Sequence, residues 1–466
     1  MAVDRRMLHT DAFAWYMEKD PVLRSTVVAV AIVDKPPDWN YLVRRIDKVT
    51  RQVPVLRQRV VEPPLRLGPP RWVPDDTFDL GYHLRRVRLP EPGDWAAVLQ
   101  AARVAAMADF DRARPLWEFT LLEGLPEGRA AFITKTHHAV ADGIGGLEIA
   151  ALVVDLTPEM PEIEKLPDVV TPPSPGTVSI VARSVIDDLA ELAGTGMRIG
   201  RGMLPATLHT LRHPRTGVGE AAGTAASIGR IVRPILHNAS PVLIDRRMSR
   251  YLDTIDVPLP ALRDAAHAAG GHVNDAFVAG VTGGLRRYHD RHGVDVGELR
   301  MTMPLSVRSP GDPIGGNRIT LLRFAVPVAI ADPVQRMREI ADIVTRWRAE
   351  RAIPLTQGIA FGLNLAPRSV IQGILRRVDF LASDVPGLSA PVYLAGSRIE
   401  AYYPFGPTIG TAVNTTLMTY VDTCCIGVNV DVAAIPDVEA LMTDLRAGFD
   451  EVTRVAAPKR HRAAVG

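Results

Sequence analysis

Cysteine is nearly absent from this sequence, and the two that occur, Cys424 and Cys425, are neighbours in a strand-like stretch. A disulfide framework is excluded, and a reducing compartment is expected. Long hydrophobic runs are missing too. Val27 to Val33 falls well short of the roughly 20 apolar residues that a membrane-spanning helix needs. The residues after Met1-Ala2-Val3-Asp4-Arg5-Arg6 contain no hydrophobic signal region. The chain is therefore expected to be cytoplasmic, or peripheral to a membrane. Lysine is scarce, confined to Lys19, Lys35, Lys48, Lys135, Lys165 and Lys459, while arginine is plentiful. That bias reads as genomic composition rather than a phosphate-binding face. With a net charge of +2 there is no strong basic field, and no nucleic-acid partner is expected. Three signatures are absent: the Gly-x-Ser-x-Gly elbow, the Gly-x-x-x-x-Gly-Lys phosphate loop and the His-Glu-x-x-His zinc pair. The missing elbow argues against a hydrolase.

What is present is organised around one stretch, Ala131-Phe132-Ile133-Thr134-Lys135-Thr136-His137-His138-Ala139-Val140-Ala141-Asp142-Gly143-Ile144-Gly145-Gly146. Residues 130–136 read as a buried strand, and Leu147 to Leu156 as a packed helix. Such strand-to-helix junctions are where α/β folds bind ligands. Adjacent side chains on extended backbone point opposite ways, so His137 and His138 cannot do the same job. One faces a cavity and the other packs inward. A neutral imidazole with a free nitrogen is a good general base near neutral pH. Asp142, past a turn, comes back under the site or pairs with a distant cation. Gly143 allows torsions or close approaches that a side chain forbids. Together these residues favour catalysis over a pair of satisfied histidines at a strand end. No metal is expected, because neighbouring histidines on a strand diverge. Gly143-x-Gly145-Gly146 alone is a weak phosphate signal.

At 466 residues the chain is expected to form two or three domains. Strands are expected over 24–33 and at Phe119 to Leu122, and helices at Tyr41 to Gln52 and Trp95 to Phe110. This alternation suggests a mixed α/β layer spanning 1–156. Residues 157–248 break it. Pro158, Pro161, Pro167, Pro172, Pro173 and Pro175 make an extended linker, and 177–240 read as mostly helical. That helical segment is either packed on the body or a lipid-facing cover or membrane-surface contact. A second α/β unit, 249–466, is expected to place strands at Tyr251 to Val257, Arg300 to Val307, Leu321 to Val328, Phe380 to Val385, Ala412 to Tyr420 and Cys425 to Val432. Its helices are expected at Ala276 to Leu285, Val334 to Trp347 and Val438 to Val452.

His137-His138-x-x-x-Asp142-Gly143 resembles the His-His-x-x-x-Asp-Gly signature of acyltransferases built like chloramphenicol acetyltransferase and the peptide-synthetase condensation domains. Within that group the chain most resembles the bacterial wax ester synthase/diacylglycerol acyltransferase family. Arg114-Pro115-Leu116-Trp117-Glu118 is similar to that family's Pro-Leu-Trp motif, and Val273-Asn274-Asp275 to its Asn-Asp motif. Pro304-Leu305-Ser306-Val307-Arg308 with Gly316-Asn317 resembles its Pro-Val-Ser-x-Arg and Gly-Asn pair, and Thr10-Asp11-Ala12 its N-terminal stretch. The likeness spans nearly the whole chain. One motif departs: the family's Asn-x-Pro-Gly-Pro is replaced by Asp384-Val385-Pro386-Gly387-Leu388, which leaves acyl and acceptor preference open.

The resemblance implies two chloramphenicol-acetyltransferase-like mixed α/β sandwich halves with the active site in a tunnel between them. It implies acyl transfer from acyl-coenzyme A, a substrate rather than a resident cofactor, to diacylglycerol or a fatty alcohol. His138 would be the base, Asn274 a candidate oxyanion donor, and Asn274 is equally a candidate helix cap. Asp142 would hold the loop by pairing with an arginine, Arg308 being one candidate. Pro115, Leu116 and Trp117 either shape the acceptor side or pack the core. The alternatives are another hydroxyl acceptor, a carrier-bound donor, or a lipid-binding or droplet-surface protein with a dead site. The intact His137, His138, Asp142 and Gly143 argue against the last.

Overall fold

The computed structural model describes residues 5–63, 68–164, 166, 223–224, 226–230, 232–233, 238–308, 312 and 314–455. In chain order the N-terminal part forms β1 (Arg5–Arg6), α1 (His9–Met17), β2 (Thr26–Val33), α2 (Trp39–Gln52), β3 (Gln58–Val61), β4 (Arg71–Pro74), α3 (Leu80–His83), β5 (Leu84–Arg88), α4 (Trp95–Met107), β6 (Trp117–Glu123), β7 (Ala130–His137) and α5 (Gly143–Val153). The C-terminal part forms β8 (Arg250–Pro258), α6 (Leu259–Ala269), α7 (Val273–Arg291), β9 (Glu298–Ser306), β10 (Ile319–Pro327), α8 (Pro333–Arg348), α9 (Thr356–Leu365) and α10 (Arg368–Leu375). It ends with β11 (Phe380–Leu388), β12 (Tyr393–Leu394), β13 (Ser397–Phe405), β14 (Val413–Tyr420), β15 (Thr423–Asp431) and α11 (Val438–Thr453).

The strands build two large sheets, ordered β12-β13-β2-β7-β6-β5 and β10-β9-β11-β14-β15-β8, and a small one, β1-β4-β3. β2 shows why the first sheet forms. Its sequence TVVAVAIV is apolar after Thr26 and β-branched except at Ala29 and Ala31, as suits a central strand covered on both faces. Several helices start where an aspartate caps them: Asp38 accepts from Tyr41 N–H at 2.8 Å, Asp94 from Ala97 N–H at 2.9 Å and Asp332 from Gln335 N–H at 2.7 Å. One hydrophobic core lies on the first sheet with α2 and α4. A second lies on the other sheet under α6, α7, α8 and α11. There α7 and α11 meet backbone to backbone. A Cβ at Gly448 would stand 2.3 Å from the Gly280 carbonyl oxygen, so only glycine permits that crossing.

The expected elements are present with small shifts at their ends. The helix expected from Leu147 begins at Gly143, because Asp142 accepts from Gly145 N–H at 2.8 Å and caps it early. The helix expected to reach Phe110 stops at Met107. Elements without a sequence expectation include α1, β4, β5, α6, α9, α10 and β13. β13 matters most. It comes late in the chain yet pairs antiparallel with β2, Tyr402 opposite Ala31 and Tyr403 opposite Val30. The first sheet is thus completed by residues from the other end of the sequence. The proline-rich stretch has no helix or strand over 157–164. Most of the expected helical segment 177–240 lies outside the described residues.

Candidate active site

β7 has two faces, and they separate the two histidines. Phe132, Thr134 and Thr136 pair with Ala31, Ala29 and Val27, and strand alternation puts His138 on that same side. Ile133, Lys135 and His137 turn the other way.

His137 is fully buried. Its Nδ1 accepts from Ala139 N–H at 3.0 Å, which assigns the ring proton to Nε2. Nε2 lies 3.3 Å from Glu18 Oε2, and Trp15 and Phe110 stand edge-on to the ring at 6.1 and 6.0 Å. Burial pushes the Glu18 carboxyl up. The contact with His137, the Ser25 N–H at 2.8 Å and the charge of Arg24 outweigh it, holding the carboxyl below its usual range.

His138 stands on the wall of the cavity between the two halves. Its N–H donates to Ser25 O at 2.9 Å, and its Nδ1 is buried without a hydrogen-bond partner among the described residues. Burial depresses the imidazole pKa below its ordinary value. The Asp142 charge opposes this and His137 adds to it. The ring is neutral at pH 7 and able to take a proton.

Asp142 does not face the cavity chemistry with a free oxygen. Oδ1 accepts from Gly145 N–H at 2.8 Å and from Arg308 Nη2 at 3.0 Å, and Oδ2 accepts from Arg318 N–H at 2.8 Å. Arg308 Nη2 also donates to the carbonyls of Gly315 and Gly316, each at 3.3 Å. Alongside, Asp11 accepts from Asn317 N–H at 2.8 Å and Thr10 Oγ1 donates to Asn317 O at 2.7 Å. Motifs scattered from residue 10 to residue 317 thus converge on one junction between the N- and C-terminal parts. Gly143 sits there against the other half: a Cβ would stand 3.0 Å from Val385 Cγ2.

Pro115, Leu116 and Trp117 are buried behind the tunnel wall rather than on it. Leu116 O accepts the His137 backbone N–H at 3.0 Å. Trp117 Nε1 donates to Leu56 O at 2.8 Å, and the ring stacks on His83 at 4.6 Å. Asn274 and Asp275 are also off the lining. The helix α7 starts at Val273 after His272, so Asn274 lies inside the first turn and is not the cap. Its Nδ2 is buried without a partner among the described residues. Asp275 Oδ2 accepts from His272 N–H at 2.8 Å.

The cavity encloses about 1700 Å³ free of protein atoms, part of it open to solvent, and its wall is mostly apolar. Asp384 is one of two carboxylates on the lining, the other being the paired Asp142. The Asp384 side chain is accessible from the cavity while protein surrounds it, and no hydrogen bond or ion pair reaches it among the described residues. Burial raises its pKa to about 6, with Arg348 opposing and Asp275 adding. The sequence flagged this position only as a departure from a motif. Glu18 had no sequence signal at all, because nothing in its spacing ties it to His137.

The folded chain can be set beside known structures. A wax ester synthase/diacylglycerol acyltransferase from Marinobacter aquaeolei VT8 matches with a TM-score of 0.64 at 21% identity, covering 97% of this chain and 100% of that one. The first condensation domain of the calcium-dependent antibiotic synthetase matches at 0.62 and 13% identity, covering 98% and 97%. The fold is therefore that of the two-lobed acyltransferases, two chloramphenicol-acetyltransferase-like halves with a tunnel between them. Residues 7–277 match the wax ester synthase/diacylglycerol acyltransferase catalytic domain, and residues 315–453 match that family's C-terminal domain. A candidate diacylglycerol O-acyltransferase of Mycobacterium tuberculosis H37Rv is 36% identical over 455 residues, 94% of this chain and 90% of the relative. Another from the same strain is 29% identical over 483 residues, 97% of this chain and 90% of the relative. The chain belongs to the wax ester synthase/diacylglycerol acyltransferase family and is an O-acyltransferase.

Proposed function

We propose that this enzyme moves a fatty acyl group from acyl-coenzyme A to diacylglycerol or a long-chain alcohol, with His138 as general base. The observation that carries the reading is a neutral, accessible imidazole on the wall of a largely apolar tunnel that joins both halves. The alcohol hydroxyl gives its proton to the His138 ring as its oxygen attacks the thioester carbonyl. The tetrahedral oxyanion collapses, the C–S bond breaks, and the same proton passes to the leaving thiolate. His137, locked by Glu18 and Ala139, fixes the strand end that carries His138. Asp142 and Arg308 hold the following loop. Asn274 lies off the tunnel lining, so no step is assigned to it. The reaction needs no resident cofactor.

No acyl-enzyme is required. Burial pushes the Cys424 and Cys425 thiols up to about 12 and about 11, which leaves neither as a thiolate nucleophile at neutral pH. Asp384 favours a wider acceptor panel, because a wholly apolar alcohol gives its carboxyl no partner. Alcohols with a second polar group belong beside diacylglycerol and hexadecanol. Peripheral attachment to a membrane or lipid droplet fits the same reading. No described helix is long and apolar enough to cross a membrane, while Leu355, Phe361, Leu365 and Val370 are exposed around α9 and α10. The test is labelled palmitoyl-coenzyme A with each alcohol and purified protein, read by mass spectrometry. Ester formation lost in His138→Ala is expected. Hydrolysis alone, or equal activity of the variant, overturns the mechanism.

A further inference from the structure

The tunnel has an arm whose walls can be followed residue by residue. One wall is the sheet face that carries Thr136, Thr134 and Phe132 on β7, paired with Val27, Ala29 and Ala31 on β2. The other is α5, which runs back from Gly143 beside His138 to Val153. Val153, Val154, Leu394 and Ile399 belong to the lining at the C-terminal end of α5. Behind that end Asp155 and Tyr393 exchange two backbone hydrogen bonds of 2.8 Å, and Arg45 reaches Asp155 Oδ1 at 3.0 Å. The arm is largely apolar and begins at the reacting histidine.

Its bore is set by small side chains. Every other residue of β2 that faces the arm is a target for filling, and at the middle two positions the chain has alanine. Ala29 and Ala31 stand opposite Thr134 and Phe132. A closely packed interior would place a branched side chain there, as at Val28, Val30 and Ile32 on the opposite face.

Its length follows from backbone geometry. From His138 to Phe132 the strand advances six residues, about 20 Å at about 3.3 Å each. The eleven residues of α5 cover about 15 Å of that length at about 1.5 Å each. An extended alkyl chain, with C–C bonds of about 1.5 Å, advances by roughly 1.3 Å per carbon.

We infer that this arm receives the single fatty acyl chain of the donor and sets its preferred length at about 14–16 carbons, with Ala29, Ala31 and Phe132 as the specificity-determining residues. The inference rests on the acyl-transfer reading above. It commits to the donor because the arm starts at His138, beside which the thioester must lie, and the donor brings a single acyl chain to that point. A diacylglycerol brings two chains, and the rest of the lining, toward Pro304, Leu321 and Met418, remains for the acceptor.

The experiment uses the full-length protein with donors from octanoyl- to eicosanoyl-coenzyme A and hexadecanol as fixed acceptor. A second series holds palmitoyl-coenzyme A fixed and varies the alcohol from octanol to octadecanol. Ala29→Leu plugs the arm at Thr134, about 13 Å from His138, which leaves room for roughly ten carbons. The ratio of palmitoyl to octanoyl kcat/KM is expected to fall at least about tenfold, since single methylenes already shift such ratios that far. Ala31→Leu, deeper in the arm, is expected to shift the optimum by fewer carbons. Phe132→Ala widens the deep end of the arm and is expected to raise the eicosanoyl to palmitoyl ratio. Because each readout is a ratio within one protein, partial loss of folded material does not imitate it. A flat donor profile in the wild type, or unchanged ratios in all three variants, overturns the inference while leaving acyl transfer intact. A shift in alcohol preference in place of donor preference overturns it too, by giving the arm to the acceptor. No transfer from any donor in the wild type removes the functional reading itself.

Discussion

Two histidines side by side carry opposite burdens. His137 is sealed between Trp15, Phe110 and Glu18, while His138 meets the tunnel. His138→Ala is expected to lower kcat by about 10²–10⁴-fold, the usual worth of a positioned base, with little change in melting temperature. His137→Ala removes a buried ring and leaves Glu18 without it. It is expected to lower melting temperature clearly, with a smaller loss of kcat in protein that remains folded. Calorimetry beside initial rates separates the two. The pH dependence has a definite sign. His138 is held below the ordinary imidazole value of 6.5, so activity should be complete above it and fall as pH drops through the depressed value. Asp384 titrates near 6 in the same window. In Asp384→Asn the acid limb of kcat/KM that remains belongs to His138. A limb centred above 6.5, or one that vanishes in Asp384→Asn, counts against His138 as the titrating base.

At the scale of elements, the loop from Asp142 into α5 is what joins the two halves at the site. The Asp142 and Arg308 side chains are 1% and 9% exposed and lie 3.0 Å apart. Asp142→Asn leaves the buried Arg308 with only the more distant Glu148, 3.6 Å away, as a carboxylate partner, so the cost is expected to be below the about 3–5 kcal/mol of a fully broken buried pair. A fall in melting temperature is expected, with loss of activity following it because Gly143, the α5 N-terminus and the 315–318 loop all hang on that carboxylate. An unchanged melting temperature with lost activity would instead put Asp142 in the chemistry.

At the scale of the whole molecule, donor and acceptor share one cavity between two sheets, and β13 stitches the late part of the chain into the first sheet. Holding both substrates together converts an encounter in water into a positioned reaction. Initial-rate kinetics are expected to be sequential, with a ternary complex. Protein incubated with acyl-coenzyme A alone is expected to keep its unmodified mass. A stoichiometric acyl adduct that chases into ester on adding alcohol would redirect the search to the serines.

Much of this was legible in the chain itself. The strand period separated His137 from His138, the β-branched runs marked most central strands, and scattered motifs named the family. Arg308 as partner for Asp142 was also in view, although through resemblance rather than spacing. Local rules work there because period, capping and turn chemistry act within a few residues. Other features belong to tertiary structure alone. Glu18 meets His137 across 119 positions, β13 leaves its sequence neighbours to pair with β2, and Leu116 and Trp117 turn into the core behind the wall. Asp384 acquires its raised pKa only because folding encloses it. The bore of the arm at Ala29 and Ala31 exists only because α5 stands over that face. Long-range pairing, desolvation and cavities arise from what the fold brings together, and no window of sequence contains both partners.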